Sequence, residues 1–165
     1  MRITTLAEYG VICALHLARR SKHGPITGRE IAGVEQLPAD YVEQILLRMR
    51  RAGLVRSTRG ARGGYELAQP AASVSIRAVI EASEASTFDL HCVTHPVGEE
   101  RCSSSHTCSI RPVWMMLQQR IDAVLDGVNL ADLLEDESVV RTRVGFAEEP
   151  RPAGGKDRTL PVLQD

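Results

Sequence analysis

YVEQILLRMRRAGLVRSTRGARGGYELA, residues 41–68, decides the fold of this 165-residue chain. Its first half has a helical period. Val42, Ile45, Leu46 and Met49 recur at i, i+3, i+4 and i+7, which puts them on one buried stripe. Glu43, Gln44, Arg48 and Arg51 fall on the other faces, as does Asp40 just upstream. Leu47 points outward on the same wheel, and the wheel gives no reason for it. Gly53 ends the helix as a C′ residue. The second half reads as a hairpin. LVRST and YELA are short strand candidates, and RGARGG between them sets Arg59 and Arg62 among three glycines. Glycines let such a tip adopt positive φ and approach another backbone closely. Arginines on it can reach a minor groove or phosphates. The alternative is a plain hairpin with solvent-facing arginines. The basic helix just before it favours DNA binding.

Upstream, TTLAEYGVICALHLARR reads as a helix, with Thr5 as N-cap and Glu8 at N3 of a capping box. Leu6, Gly10, Cys13 and Leu17 share a face, with Ala14 and Leu15 beside them. Cys13 there is a small core residue rather than a reactive thiol. Thr27-Gly28-Arg29-Glu30 is a second capping box opening a short helix, and Pro38 suits the start of the next. A short helix, a tight connection and a longer basic helix form a helix-turn-helix. Charge agrees. The net charge of −1 divides into +6 over residues 1–65 and −7 over residues 66–165. A basic N-terminal half points toward phosphates. Nothing in MRITTLAEYG resembles a secretory leader, and no apolar run is long enough for a bilayer, so a cytoplasmic location without membrane contact is expected.

Downstream, VSIRAVIEAS from Val74 is an amphipathic helix with Val74, Ala78 and Ala82 on one face beside Val79. SIRPVWMMLQQRIDAVLDGV is a long helix with Pro112 in its first turn. Ile110, Trp114, Leu117, Ile121, Val124 and Val128 trace a heptad-like seam. Val113, Met116 and Leu125 widen the apolar surface, which suggests one contact within the chain and one across a homodimer. NLADLL is a short capped helix. The fold expected is mainly α: a winged helix-turn-helix with a small β-hairpin wing and a long C-terminal dimerisation helix. Residues 1–70 form the DNA-binding unit, 71–134 the cysteine loop and dimerisation helix, and 135–165 a tail expected to be largely disordered.

Between those helices lies CVTHPVGEERCSSSHTC, residues 92–108, with three of the chain's four cysteines. Disulfides are disfavoured, because the compartment is reducing and three thiols leave one over. Zinc could use three cysteines and one of His91, His95 and His106, although no C-x₂-C pair is present. Soft thiolates in a loop between helices equally suit an iron–sulfur cluster. Spacing alone leaves the two level. No phosphate-cradling GxGxxG or GxxxxGK(S/T) loop, nucleophile elbow or His–Glu metal helix is present, so an enzyme is not expected.

The run from Tyr41 to Ala68, with MRITTLAEYGVICALHLA ahead of it, resembles the Rrf-two family of bacterial winged-helix regulators of the IscR, NsrR and RirA type. The resemblance covers about residues 1–135, and its wing motif RGxxGGYxLA is specific. It implies a homodimer on a double-stranded DNA operator, with the recognition helix in the major groove and the wing in the minor groove. DNA contacts then fall to Tyr41, Glu43, Gln44, Arg48, Arg59 and Arg62, and Arg51 joins them from the same helix. Glu43 would accept from a cytosine amino group, or it is simple surface charge. Cluster-binding members carry three cysteines at this place, which match Cys92, Cys102 and Cys108, although the first gap is longer than usual. IscR-like members supply a histidine where this chain has Arg111, which has no lone pair to donate. NsrR-like members use an acidic residue of the first helix, which matches Glu8; His106 is the second choice for that fourth ligand. The resemblance thus implies a repressor governed by an iron–sulfur cluster, 4Fe–4S or 2Fe–2S, that senses nitric oxide, redox or iron status. A regulator with structural zinc or a thiol switch is the alternative.

Overall fold

The computed structural model describes residues 3–60, 63–84 and 108–146. Helix α1 spans Thr5–Arg19. Its N-cap is Thr4, one residue earlier than expected: the Thr4 hydroxyl accepts from the Ala7 N–H at 3.1 Å. That hydroxyl also meets the Glu84 carboxylate of a distant helix, a tertiary contact absent from any local window. Glu8 therefore sits at N4 and forms no capping box. The second expected cap is present. Thr27 accepts from the Glu30 N–H at 3.1 Å and opens α2, Gly28–Val34.

Helix α2 ends through Gln36 at φ 54°, with the Leu37 N–H donating to the Ala32 carbonyl at 2.9 Å. This close turn delivers α3, Ala39–Arg51, whose stripe of Val42, Ile45, Leu46 and Met49 is fully buried. Gly53 is at φ 77°. Its N–H donates to the Arg50 carbonyl and that of Leu54 to the Met49 carbonyl, the pairing that closes a helix on a left-handed residue. Leu47 is half-buried.

The wing follows: β1, Val55–Thr58, pairs antiparallel with β2, Gly64–Leu67, with Val55 opposite Leu67 and Thr58 opposite Gly64. Ile26 bridges to Tyr65 on the other side of β2 through bonds of 2.9 and 2.7 Å. A Cβ at Gly64 would lie 2.5 Å from the Ile26 carbonyl, so only glycine admits this approach.

Helix α4, Ile76–Glu84, starts one position after Ser75, whose hydroxyl accepts from the Ala78 N–H at 3.2 Å. Its buried face is Ile76, Val79, Ile80 and Ser83 rather than Val74, Ala78 and Ala82. Val74 is buried, but from extended chain: its carbonyl accepts from the Leu130 N–H at 2.9 Å. Helix α5, Arg111–Asp126, has Pro112 in its first turn as expected and buries none of its residues. Leu125 packs partly against the core, and Arg77 of α4 pairs with Asp122 and Asp126. Val128 drops out of the seam into the core. NLADLL forms the short capped helix expected, a single 3-10 turn over Asp132–Leu134 braced by reciprocal 3.0 Å bonds between Asn129 and Asp132. The segment expected to be largely disordered begins with a helix, α6, Glu137–Arg143, supported by Glu137–Arg141 and by Arg143 on Asp132. Residues 147–165 lie outside the described residues.

One core joins these parts. Cys13, Ala14 and Leu17 of α1, Ile31 of α2, the α3 stripe, Val55, Val79 and Leu130 pack as one cluster. Residues on both sides of position 70 thus share a core, and α4 lies against both α1 and α3.

Candidate nucleic-acid interface and cysteine ligands

The buried stripe of α3 determines what its other faces can offer. Asp40, Tyr41, Glu43, Gln44 and Arg51 are exposed. Tyr41 stands edge-on to Tyr9 of α1, ring centres 6.0 Å apart, so its ring is braced while 43% of the residue stays open. Glu43 is also held: the Tyr65 hydroxyl donates to its Oε2 at 3.4 Å. Its carboxylate packs on Gly28, the first residue of α2, where a Cβ would come within 2.9 Å of Cδ. Burial and the neighbouring Glu43 carboxylate push the Tyr65 hydroxyl up from its ordinary pKa, so it remains a donor at neutral pH. This contact joins wing and recognition helix into one surface.

Arg59 is exposed next to Gly60, which is at φ 114°. Arg62 lies outside the described residues. Arg48 is turned elsewhere: it is half-buried, and its Nη1 donates to the Ser83 carbonyl at 2.6 Å. Sequence reasoning passed over two exposed cations. Arg29 follows the first residue of α2, beside the Thr27 cap. Arg50 reaches the Ser57 hydroxyl of the wing at 3.3 Å. The cap position itself could have marked Arg29, because helix N-termini commonly meet phosphates.

Of the cysteines, Cys13 is fully buried, and burial, with Glu35 nearby, pushes its thiol up to about 12. The core reading of Cys13 holds. Cys108 is half-buried, three positions before α5. Cys92, Cys102, His91, His95 and His106 lie outside the described residues. Among the described residues, no three His, Cys, Asp or Glu side chains form a metal-holding group. Glu8 is exposed on α1 and makes no side-chain hydrogen bond or ion pair among the described residues. It is one turn beyond Thr4, whose hydroxyl touches Glu84 where α4 leads into residues 85–107. A buried histidine, unsuspected from sequence, stiffens the reading head: His16 Nδ1 lies 2.7 Å from Glu35 Oε1, tying α1 to the end of α2.

Comparison with known proteins gives consistent matches. Residues 3–136 match the model of the Rrf2 family, described as an iron-dependent transcriptional regulator. The chain is 32% identical over 140 residues to the HTH-type transcriptional regulator IscR of Yersinia pseudotuberculosis, covering 85% of this chain and 83% of that protein. Its structure resembles IscR of T. potens, with a TM-score of 0.64 and 31% identity over 81% of this chain and 86% of that one. It also resembles CymR of B. subtilis, described as the global cysteine regulator, with a TM-score of 0.65 and 28% identity over 82% and 99%. No described helix is long and apolar enough to cross a membrane.

Proposed function

The chain belongs to the Rrf2 family of transcriptional regulators, and from that membership we propose a cytoplasmic, homodimeric repressor whose operator affinity is governed by an iron–sulfur cluster in the cysteine loop. One observation carries the DNA-binding part. The Tyr65–Glu43 contact sets the recognition helix and wing side by side, with Tyr41, Gln44, Arg51 and Arg59 exposed. Tyr41, Glu43 and Gln44 read base edges in the major groove. Arg59 and Arg62 enter the minor groove, and Arg51 meets phosphate.

Homodimerisation is supported by α5. Ile110, Val113, Trp114, Met116, Leu117 and Val124 are all exposed large apolar residues in the single chain, while Leu125 leans on the chain's own core. Such a face is costly to leave in water, and a second α5 covers it as a seam.

The donor set fits a cluster. Cys13 is excluded by burial, which leaves the three thiolates of Cys92, Cys102 and Cys108 as soft ligands. Glu8 is an exposed carboxylate with no partner among the described residues, and it supplies the fourth ligand; His106 is the alternative. When bound, the cluster supplies a centre that nitric oxide, oxidants or iron supply can alter. The protein's part is to present three thiolates and one weakly held oxygen, and to pass a change of ligation to the reading heads as differential operator affinity.

The test is anaerobic purification with iron, sulfide and zinc analysis, followed by operator binding of loaded and cluster-free chains. Matched iron and sulfide, with unequal operator affinities, support the proposal; equal affinities overturn the switch. The likeness to CymR, a cysteine regulator by description, favours one second reading, a zinc or thiol-switch site at the same cysteines. A colourless, zinc-containing protein would select it.

A further inference from the structure

We propose that Arg48 is a positioning residue rather than a DNA contact: it binds the recognition helix to the last turn of α4, so the entry to the cysteine loop and the reading head move as one body. The inference rests on the proposed cluster only for what drives the motion; the linkage itself stands on the packing.

The last carbonyls of a helix have no intrahelical partner, and they form the negative end of its dipole. The Ser83 carbonyl lies in the last described turn of α4, and the Arg48 guanidinium donates to it at 2.6 Å. Arg48 comes from α3, one residue before Met49 of the buried stripe. The junction is close-packed on its other side too. Ser83 is fully buried, with its hydroxyl on the Val79 carbonyl at 2.8 Å. It faces Gly10 of α1, where a Cβ would stand 2.9 Å from the Ser83 Cβ and overlap the hydroxyl. Met49 closes the same point, 3.6 Å from that Cβ position. The next residue, Glu84, meets the Thr4 cap of α1. The end of α4 is thus held by α3 through Arg48 and by α1 through Gly10 and Thr4. Residue 85 opens the segment that carries Cys92 and Cys102.

This geometry accounts for an arginine on the recognition helix that is half-buried and directed away from the exposed Tyr41, Glu43 and Gln44. Arg51 remains exposed beside it, on the groove that Arg48, Glu81 and Glu84 also line, and it is the phosphate contact of the pair.

The experiment uses the full chain with Arg48→Met. Operator binding is measured by fluorescence anisotropy across a salt series, for cluster-free and loaded protein, with hydrogen exchange on the cluster-free protein alone. The expected result has three parts. The salt slope of cluster-free binding stays at the wild-type value. Amides of residues 48–52 and 81–84 exchange about tenfold faster, as local opening becomes easier. The ratio of loaded to cluster-free affinity collapses toward one. A slope lower by about one, with exchange and ratio unchanged, would mean a lost phosphate contact and would overturn the proposal. If wild-type protein itself shows no cluster or no ratio, the proposed function fails, and the exchange measurement still decides the role of Arg48. Should Arg48→Met fail to fold, Arg48→Lys replaces it. Lysine can still donate one bond to the Ser83 carbonyl and still contact phosphate, so Arg48→Gln is added. It removes the charge and the reach: a wild-type slope with a reduced ratio supports positioning, while a slope lower by about one with a wild-type ratio refutes it.

Discussion

Cys13 offers a quantitative test of which sulfurs do chemistry. It is 0% exposed, and its thiol is pushed up to about 12 by burial and by Glu35. At neutral pH its thiolate population is then about a thousand-fold below that of an ordinary cysteine. A reagent must also await local opening to reach it. Alkylation of the cluster-free native chain, followed peptide by peptide by mass spectrometry, should therefore label Cys92, Cys102 and Cys108 at least about a thousand times faster than Cys13. Cys13→Ala should retain iron at the wild-type level and cost about 1–2 kcal/mol of stability, a small cavity in a packed core. Cys13→Ser should cost more, about 1–3 kcal/mol, because the hydroxyl is buried among apolar neighbours. The pH sign follows from the raised pKa. The native chain keeps the thiol proton while the unfolded chain loses it above about pH 9, so this contribution is complete below pH 9 and lost as pH rises toward 12. Labelling of Cys13 within tenfold of Cys108, or loss of iron from Cys13→Ala with folding intact, would refute the reasoning.

Arg59→Ala should lower the salt slope of operator binding by about one, with little change in melting temperature, since Arg59 is exposed; an unchanged slope would remove the wing arginine from the interface. Leu117→Asp should give a monomer by sedimentation equilibrium while leaving the monomer fold intact, because α5 buries none of its residues in the single chain; a dimer that survives places the seam elsewhere. Tyr65→Phe frees Glu43, and selection from random operators should show weaker discrimination at one base pair, by less than about 1 kcal/mol because the bond is 3.4 Å long and Glu43 is exposed. Thr4→Ala should destabilise the chain by about 1 kcal/mol and Thr5→Ala by a few tenths or less, read by denaturant melts; the reverse order would put the cap back on Thr5.

Residues 41–68 were legible because their determinants are local. The α3 stripe is a periodicity, Gly53 a backbone requirement, and the wing a strand pattern around glycines, and each of these survives in the structure. The misreadings share a different cause. The face of α4 was misplaced because Val74 is claimed by Leu130, fifty-six positions away in sequence, and so stays extended. NLADLL was legible for the opposite reason: its Asn–Asp cap is local, and it closes a short 3-10 helix on a chain tied to the core by Leu130. The resemblance makes Arg48 a DNA contact, and the wheel only places it off the buried stripe; its bond to the Ser83 carbonyl, beyond any local window, is what the structure adds. Only the position of the Ser83 carbonyl turns it inward.

The one-residue displacement of the first cap matters most for chemistry. With Thr5 as cap, Glu8 would sit at N3 and spend its carboxylate on the cap's own N–H. With Thr4 as cap, Glu8 is at N4, where its N–H donates to the Thr4 carbonyl at 3.0 Å and its carboxylate makes no hydrogen bond among the described residues. The carboxylate is left exposed on α1, and Thr4 holds that end of the helix against Glu84, where the cysteine segment begins. A capping box would have engaged the Glu8 carboxylate and weighed against it as a ligand. Once the cap moves, the same residue is an unengaged, hard oxygen donor at the end of α1 that α4 holds. Under the proposed ligation, a Glu8 oxygen among three thiolates would be the weakest of the four ligands, so Glu8→Ala should lose iron to a chelator faster than wild type. An unchanged rate for Glu8→Ala would refute Glu8 as the fourth ligand, and His106→Ala would then be the variant to test.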